Sequence, residues 1–394
     1  MPTDATFILA GLFVVAAAAG WAFARFGGSR EREETKAPIS ADYLRGLNLV
    51  LDRQTDEALE LFVRMAKVDS DTLETHFALG HLFRRRGEVD RAIRVHQNLL
   101  ARPNLNETQR HQALFSLAED YLGAGLYDRA EKLFLQLTES PTIATRALEN
   151  LINIYERESE WMQAIEAHRK LEVLNGEKSS RGGQYYCELA ELARVQGNFE
   201  LARQYLKNSI RGGSGALRGI LIRAAIAKDQ GDYPEALRLY EQIIERDRRF
   251  MAEVLGSLLE CHKKNSSIKE LEKYLEQLLK REPSLQQDVA YAAVIGNFAE
   301  PDIVTRCMEN FILRNDLLKS LVDVKAVMSN DPKIRHEHTG RIADALRGLS
   351  ANSARYLCTN CGYNSQNFIW HCPSCKGWET VRPLRSFQLD ISMS

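Results

Sequence analysis

No charge of one sign dominates this chain. It carries 52 Lys and Arg against 53 Asp and Glu, a net charge of −1 over 394 residues, which argues against a chain-wide binder of nucleic acid or acidic lipid. Glycine and proline are few (24 and 10) and aromatic residues make up 8%, a composition that fits helices better than a sandwich or a disordered chain. A phosphate-binding P-loop, a Gly-rich dinucleotide turn, an HExxH pair and a nucleophile elbow are all missing, so the sequence points away from an enzyme. Cysteine is scarce too. Of seven, four fall within residues 358–375.

What is present begins with an uncharged run, "FILAGLFVVAAAAGWAFA" at residues 7–24, near the length a helix needs to cross the hydrocarbon core. The preceding "MPTDAT" holds no Lys or Arg, which disfavours a cleaved signal peptide. Arg25, Arg30, Arg32 and Lys36 follow the run, and the positive-inside rule then places the rest of the chain in the cytoplasm. The expectation is a single-pass N-terminal transmembrane anchor over residues 1–26 and a cytoplasmic linker over 27–39. Ala16, Gly20 and Ala24 form a small-xxx-small pattern that leaves an oligomer open.

The body repeats. "THFALGHLFRRRGEVDRAIRVHQNLL" (75–100) aligns with "ALFSLAEDYLGAGLYDRAEKLFLQL" (113–137), and the alanine of "DRA" or its equivalent recurs at Ala58, Ala92, Ala130, Ala164, Ala202 and Ala236, then as Leu271. Twelve positions before each stand Gly46, Gly80, Ala118, Ile152, Ala190, Ala224 and Leu259, most of them small. Small residues at both positions let paired helices approach, while Phe62, Phe83, Tyr121, Phe134, Tyr155 and Tyr240 fill the space around the crossing. Gly87, Gly125, Gly197 and Gly231 fall between the helices, where positive φ is often required. The pattern resembles the tetratricopeptide repeat. About seven repeats are expected over residues 40–284, with helical, degenerate repeats over 285–350, so the fold class is an all-α superhelical solenoid. Within it, Arg84, Arg85 and Arg86 read as a solvated face. His96 and His168 read as packing residues, since they share a repeat position with Phe134 and Tyr240, and Cys187, Cys261 and Cys307 as buried thiols.

Residues 351–394 contain "CTNCGYNSQNFIWHCPSC", two CxxC pairs. Two such knuckles complete a tetrahedral four-thiolate shell that suits zinc or iron, and Cys358, Cys361, Cys372 and Cys375 are the expected ligands of one metal ion. So small a segment buries too little apolar surface to fold alone, and the metal would compensate. Tyr356, Tyr363, Phe368, Trp370 and Trp378 are expected to form a small core around the site and to rest on the last helices. The knuckles resemble those of rubredoxin, although Lys376 separates Cys375 from Gly377. His371 is expected to stand outside the shell. Lys376, Arg382 and Arg385 make no dense basic stripe, so no nucleic acid is expected.

Anchor, repeats and tetracysteine site in this order, with "SADYLRGLNLVLDRQTDEALELF" opening the repeats, resemble the lipopolysaccharide assembly protein B (LapB/YciM) family. The resemblance implies an inner-membrane adaptor that restrains lipid A synthesis by promoting degradation of the LpxC deacetylase by the FtsH protease. It also implies relief by an inner-membrane partner of the YejM/LapC type. A redox or electron-transfer role for the four cysteines, or a general repeat scaffold at the membrane, remains the alternative.

Overall fold

The computed structural model describes residue 21 and residues 41–52, 54–68, 73–176, 179–211, 216–297, 302–321, 323–329, 331–350 and 354–384. Among these no helix is long and apolar enough to cross a membrane. The expected anchor at residues 7–24 lies outside the described residues, Trp21 apart.

The chain divides into two compact units, Met1–Leu133 and Phe134–Ser394. In the first, α1 (Ala41–Leu51) pairs with α2 (Thr55–Val68) and α3 (Leu73–Arg85) with α4 (Val89–Leu100). α5 (Glu107–Gly123) follows, started by a capping box in which Asn106 accepts from the Gln109 backbone at 2.8 Å and Gln109 accepts from the Asn106 backbone at 3.1 Å. α6 (Tyr127–Leu137) runs across the division.

The core of this unit gathers Ala58, Phe62, Leu79, Leu82, Phe83 and Ala92. The small residues act as expected. A Cβ on Gly46 would stand 2.6 Å from the Phe62 ring, and one on Gly80 would stand 2.4 Å from the His96 imidazole. His96 is therefore a packing residue, fully buried, with Nδ1 on the Asp120 carboxylate. Arg84 corrects the expectation of a solvated run. It is half-buried and reaches Asp120 at 2.5 Å, Glu119 at 2.8 Å and the Ser116 carbonyl at 3.1 Å. Arg85 and Arg86 do stay exposed.

The second unit continues with three helical hairpins: α7 (Ala144–Glu158) with α8 (Trp161–Asn175), α9 (Arg181–Val195) with α10 (Phe199–Arg211), and α11 (Ala216–Asp229) with α12 (Tyr233–Arg246). A 3₁₀ turn, Arg248–Phe250, leads to α13 (Met251–Lys264) and α14 (Ile268–Arg281). The rest is α15 (Leu285–Gly296), α16 (Asp302–Arg314), two short helices, α17 (Asp316–Leu321) and α18 (Val324–Val327), and α19 (Pro332–Ser350). Most long helices bury one stripe, whereas α15 is buried all round over Asp288–Val294. In α14 the stripe is Leu271, Leu275, Leu278 and Leu279, spaced as one helix face requires. Cys187, Cys261 and Cys307 are buried thiols, and burial pushes all three up, Cys261 to about 11 and Cys307 to about 12.

The turns inside the hairpins repeat a backbone conformation. Five residues before each of Ala92, Ala130, Ala164, Ala202, Ala236 and Leu271 the chain takes positive φ, at Gly87, Gly125, Ser159, Gly197, Gly231 and Ser266. Glycine was expected at four of them. Serine fills the other two at a steric cost, so the turn geometry persists where the residue does not.

After α19 the chain turns to strand. β1 (Tyr356–Cys358) lies between β2 (Asn364–Ser365) and β3 (Val381–Pro383) in an antiparallel sheet, order β2-β1-β3. Leu357 pairs with Asn364 on one side and Arg382 on the other.

Candidate metal centre

Each knuckle closes on backbone hydrogen bonds. In the first, the Gly362 N–H donates to the Cys358 carbonyl at 2.9 Å and the Cys358 N–H to the Tyr363 carbonyl at 2.8 Å. In the second, Lys376 donates to Cys372 and Cys372 to Gly377, both at 2.9 Å. Gly362 turns the first knuckle at φ 75°. Lys376 holds the equivalent place in the second at φ 57°, so the departure from the rubredoxin pattern leaves the geometry intact and loads a left-handed conformation onto a lysine. Gly377 is needed for space, because a Cβ there would meet Thr380 at 2.7 Å and Cys375 Sγ at 3.3 Å.

The four sulphurs converge. Cys358 and Cys375 Sγ stand 3.7 Å apart, as do Cys361 and Cys372, and all four lie within 4.8 Å of one another. A tetrahedron with metal–sulphur bonds of about 2.3 Å has edges of about 3.8 Å, so the thiols match a single-ion shell. The Thr380 hydroxyl, 3.3 Å from Cys358 Sγ, pulls that thiol down, and a side-chain hydrogen bond with Asn360 pulls Cys375 down. Burial pushes Cys372 up. Cys361 is exposed. His371 stands apart: its Nε2 is 3.1 Å from the Lys376 carbonyl and its ring stacks on Trp378 at 4.5 Å.

Sequence reasoning placed the ribbon's aromatic residues on the last helices, and the structure corrects this. They rest mainly on the hairpins α7 to α12, on Phe250 of the 3₁₀ turn and on the start of α13. Trp378 packs edge-on against Tyr185 (5.8 Å) and Trp161 (6.1 Å), and its indole N–H donates to Glu156 at 2.9 Å. Trp370 stacks on Phe250 at 6.0 Å, with Phe368 edge-on to the same ring at 5.5 Å. The Tyr356 hydroxyl donates to Glu253 at 2.6 Å. Tyr363 is exposed and joins no core. The apolar surface of the middle hairpins was the better partner because it offers buried aromatic rings beside two carboxylates.

Glu156 and Arg218 organise the seat. Glu156 is buried and accepts from both the Tyr185 hydroxyl, at 2.7 Å, and Trp378, with Arg181 at 3.5 Å. Arg218 is 4% exposed, pairs with Glu188 at 2.7 Å, and lies over Trp370 and Trp378 at 5.4 and 5.8 Å. Cation–π contacts of this kind strengthen when desolvated. One signal was legible. Four positions after the first of the two aligned repeat positions (Gly46, Gly80 and their equivalents), the repeats carry Val50, Arg84, Leu122, Arg194, Lys228 and Lys263, and Glu156 alone inverts the charge.

With this geometry in hand, similarity to known proteins is informative. Tetratricopeptide repeat family models match residues 75–110 and 187–248, and a model described as the rubredoxin metal binding domain matches 356–383. The chain is 32% identical to a protein of Escherichia coli (strain K12) named Lipopolysaccharide assembly protein B, over 95% of this chain and 97% of that one. A protein of the same name from Haemophilus influenzae is 29% identical over 95% and 97%. A solved structure titled "Structure of Naa15/Naa10 bound to HypK-THB" aligns with TM-score 0.49 and 16% identity, over 81% of this chain and 48% of that one. The chain is a mostly helical tetratricopeptide-repeat protein with a C-terminal ribbon whose four cysteines can hold one metal ion.

Proposed function

The chain belongs to the lipopolysaccharide assembly protein B family, and on that premise we propose that it is an adaptor without catalytic activity in lipopolysaccharide assembly. It brings the LpxC deacetylase to the FtsH protease at the inner membrane, and a YejM/LapC-type protein relieves that action. Residues 7–24 anchor it, and the repeats face the cytoplasm. Tethering of this kind raises effective concentration without new contacts. Cys358, Cys361, Cys372 and Cys375 hold one metal ion, zinc or iron. The ion supplies a structural cross-link between the knuckles, and the folded ribbon then presents Trp370 and Trp378 to the repeats.

One observation carries this reading: the ribbon lies against the hairpins through Glu156, Arg218, Phe250 and Glu253, so the metal segment and the repeats act as one binding body. The test is LpxC half-life in cells depleted of this protein, with rescue by the wild-type chain or by Cys358→Ser plus Cys361→Ser. Slower decay on depletion, restored by the wild type and not by the variant, is the expected result. An unchanged half-life would reject the adaptor assignment.

A further inference from the structure

Beside the seated ribbon is a cavity of about 400 Å³ that no contact described above fills. Its floor is Leu221, Ile222 and Ala225 of α11, Phe250 closes one end, and Phe368 and Trp370 of the ribbon form a wall. Leu221, Ala225, Phe368 and Trp370 are half-buried, so apolar surface remains open to an incoming side chain. The surrounding helices α9, α11 and α13 are the first members of successive hairpins, and stacked repeats use such surfaces for peptides.

The charges lining the cavity differ in how they are satisfied. Arg218 is engaged by Glu188 at 2.7 Å and Glu191 by Arg194 at 2.6 Å. Glu253 is half-buried and, among the described residues, accepts from the neutral Tyr356 hydroxyl and has no ion-pair partner. The cavity therefore offers an apolar floor and one carboxylate with no ion-pair partner among the described residues, the nearby Arg355 guanidinium lying over the Tyr356 ring at 5.6 Å instead. We propose that it is a docking site for a segment of another protein that presents an aliphatic side chain beside a lysine or arginine. The volume suits one or two aliphatic side chains, and a cation next to them neutralises Glu253. Because Phe368 and Trp370 supply a wall, the site is complete only when the ribbon is folded and seated. The inference deepens the adaptor reading by naming the chemistry of a client segment, but it is testable without it.

The test uses the metal-loaded full chain and two fluorescein-labelled peptides, one alternating leucine with lysine and the other leucine with glutamate, read by anisotropy. The lysine peptide is expected to bind at least tenfold more tightly. Ala225→Phe, which fills the floor, should remove that binding. Glu253→Gln, which keeps an acceptor for Tyr356, should narrow the preference to under threefold and serves if Ala225→Phe fails to fold. Equal affinity for both peptides, or a preference that neither substitution alters, would overturn the proposal. A dimer in sedimentation that Ala225→Phe dissolves would also overturn it, since a second copy would be the occupant. A preference that behaves as expected beside an unchanged LpxC half-life would reject the adaptor assignment and keep the groove. The opposite pair of results would reject the groove alone.

Discussion

Replacing Glu156 tests whether one carboxylate holds the ribbon to the repeats. It is buried and accepts from two neutral donors, Tyr185 at 2.7 Å and Trp378 at 2.9 Å. Glu156→Ala strands both donors, and an unsatisfied buried donor costs about 1–3 kcal/mol, so a loss of about 3–4 kcal/mol is expected. The Arg181 contact adds little, because that side chain is 37% exposed and 3.5 Å away. Glu156→Gln keeps a carbonyl oxygen for the donors and should cost about 1 kcal/mol. Trp378→Phe removes one of the two donors, so combined with Glu156→Ala it should show a coupling of about 1–2 kcal/mol. Urea unfolding followed by circular dichroism gives these values. Release of the metal to a chromogenic chelator reports on the ribbon separately and should speed up in the order Gln, then Ala. Equal losses for Ala and Gln, or additivity with Trp378→Phe to within about 0.5 kcal/mol, would refute the latch.

Other substitutions and conditions have definite outcomes. Gly80→Ala gains about 1 kcal/mol of helix propensity but sets a Cβ 2.4 Å from the His96 ring. Overpacking costs about 1–3 kcal/mol, so the melting temperature should fall. Ser159→Gly relieves φ 59° and should stabilise by about 0.5–1 kcal/mol, since a left-handed non-glycine costs about 1–2 and glycine's entropy returns part of it. Chelation, or Cys358→Ser plus Cys361→Ser, should change tryptophan fluorescence and expose residues 354–384 to protease while far-ultraviolet helix content persists. Loss of helix in step with the ribbon would contradict this. Burial lowers His168, against the opposing pull of the Glu172 and Glu156 carboxylates, and lowers His262 as well. The unfolded chain then takes up protons first, so stability is full above about pH 6.5 and declines as pH falls toward the folded values. Thermal melts from pH 7.5 to 5.5 should show this decline, and His168→Gln with His262→Gln should flatten it.

Much of the architecture could be read from residues alone, for reasons local to the chain. The alternation of small and aromatic positions marked the hairpins because close approach at Gly46 and Gly80 leaves no room for a Cβ. The CxxC pairs marked the thiol cluster because a knuckle is built within six residues. What sequence could not reveal lies between distant elements. Trp378 meets Glu156 across 222 positions and Tyr356 meets Glu253 across 103. Arg84 looked solvated until Asp120 was brought beside it.

The spacing of small residues, glycines and cysteines determined that this chain would stack helical hairpins and close four thiols on one point, since each device acts over a few residues of backbone. Tertiary structure alone decided where the ribbon rests. Its aromatic residues needed buried rings for their faces and carboxylates for the Trp378 N–H and the Tyr356 hydroxyl, and only the folded α7 to α13 surface assembles them at Glu156, Arg218, Phe250 and Glu253.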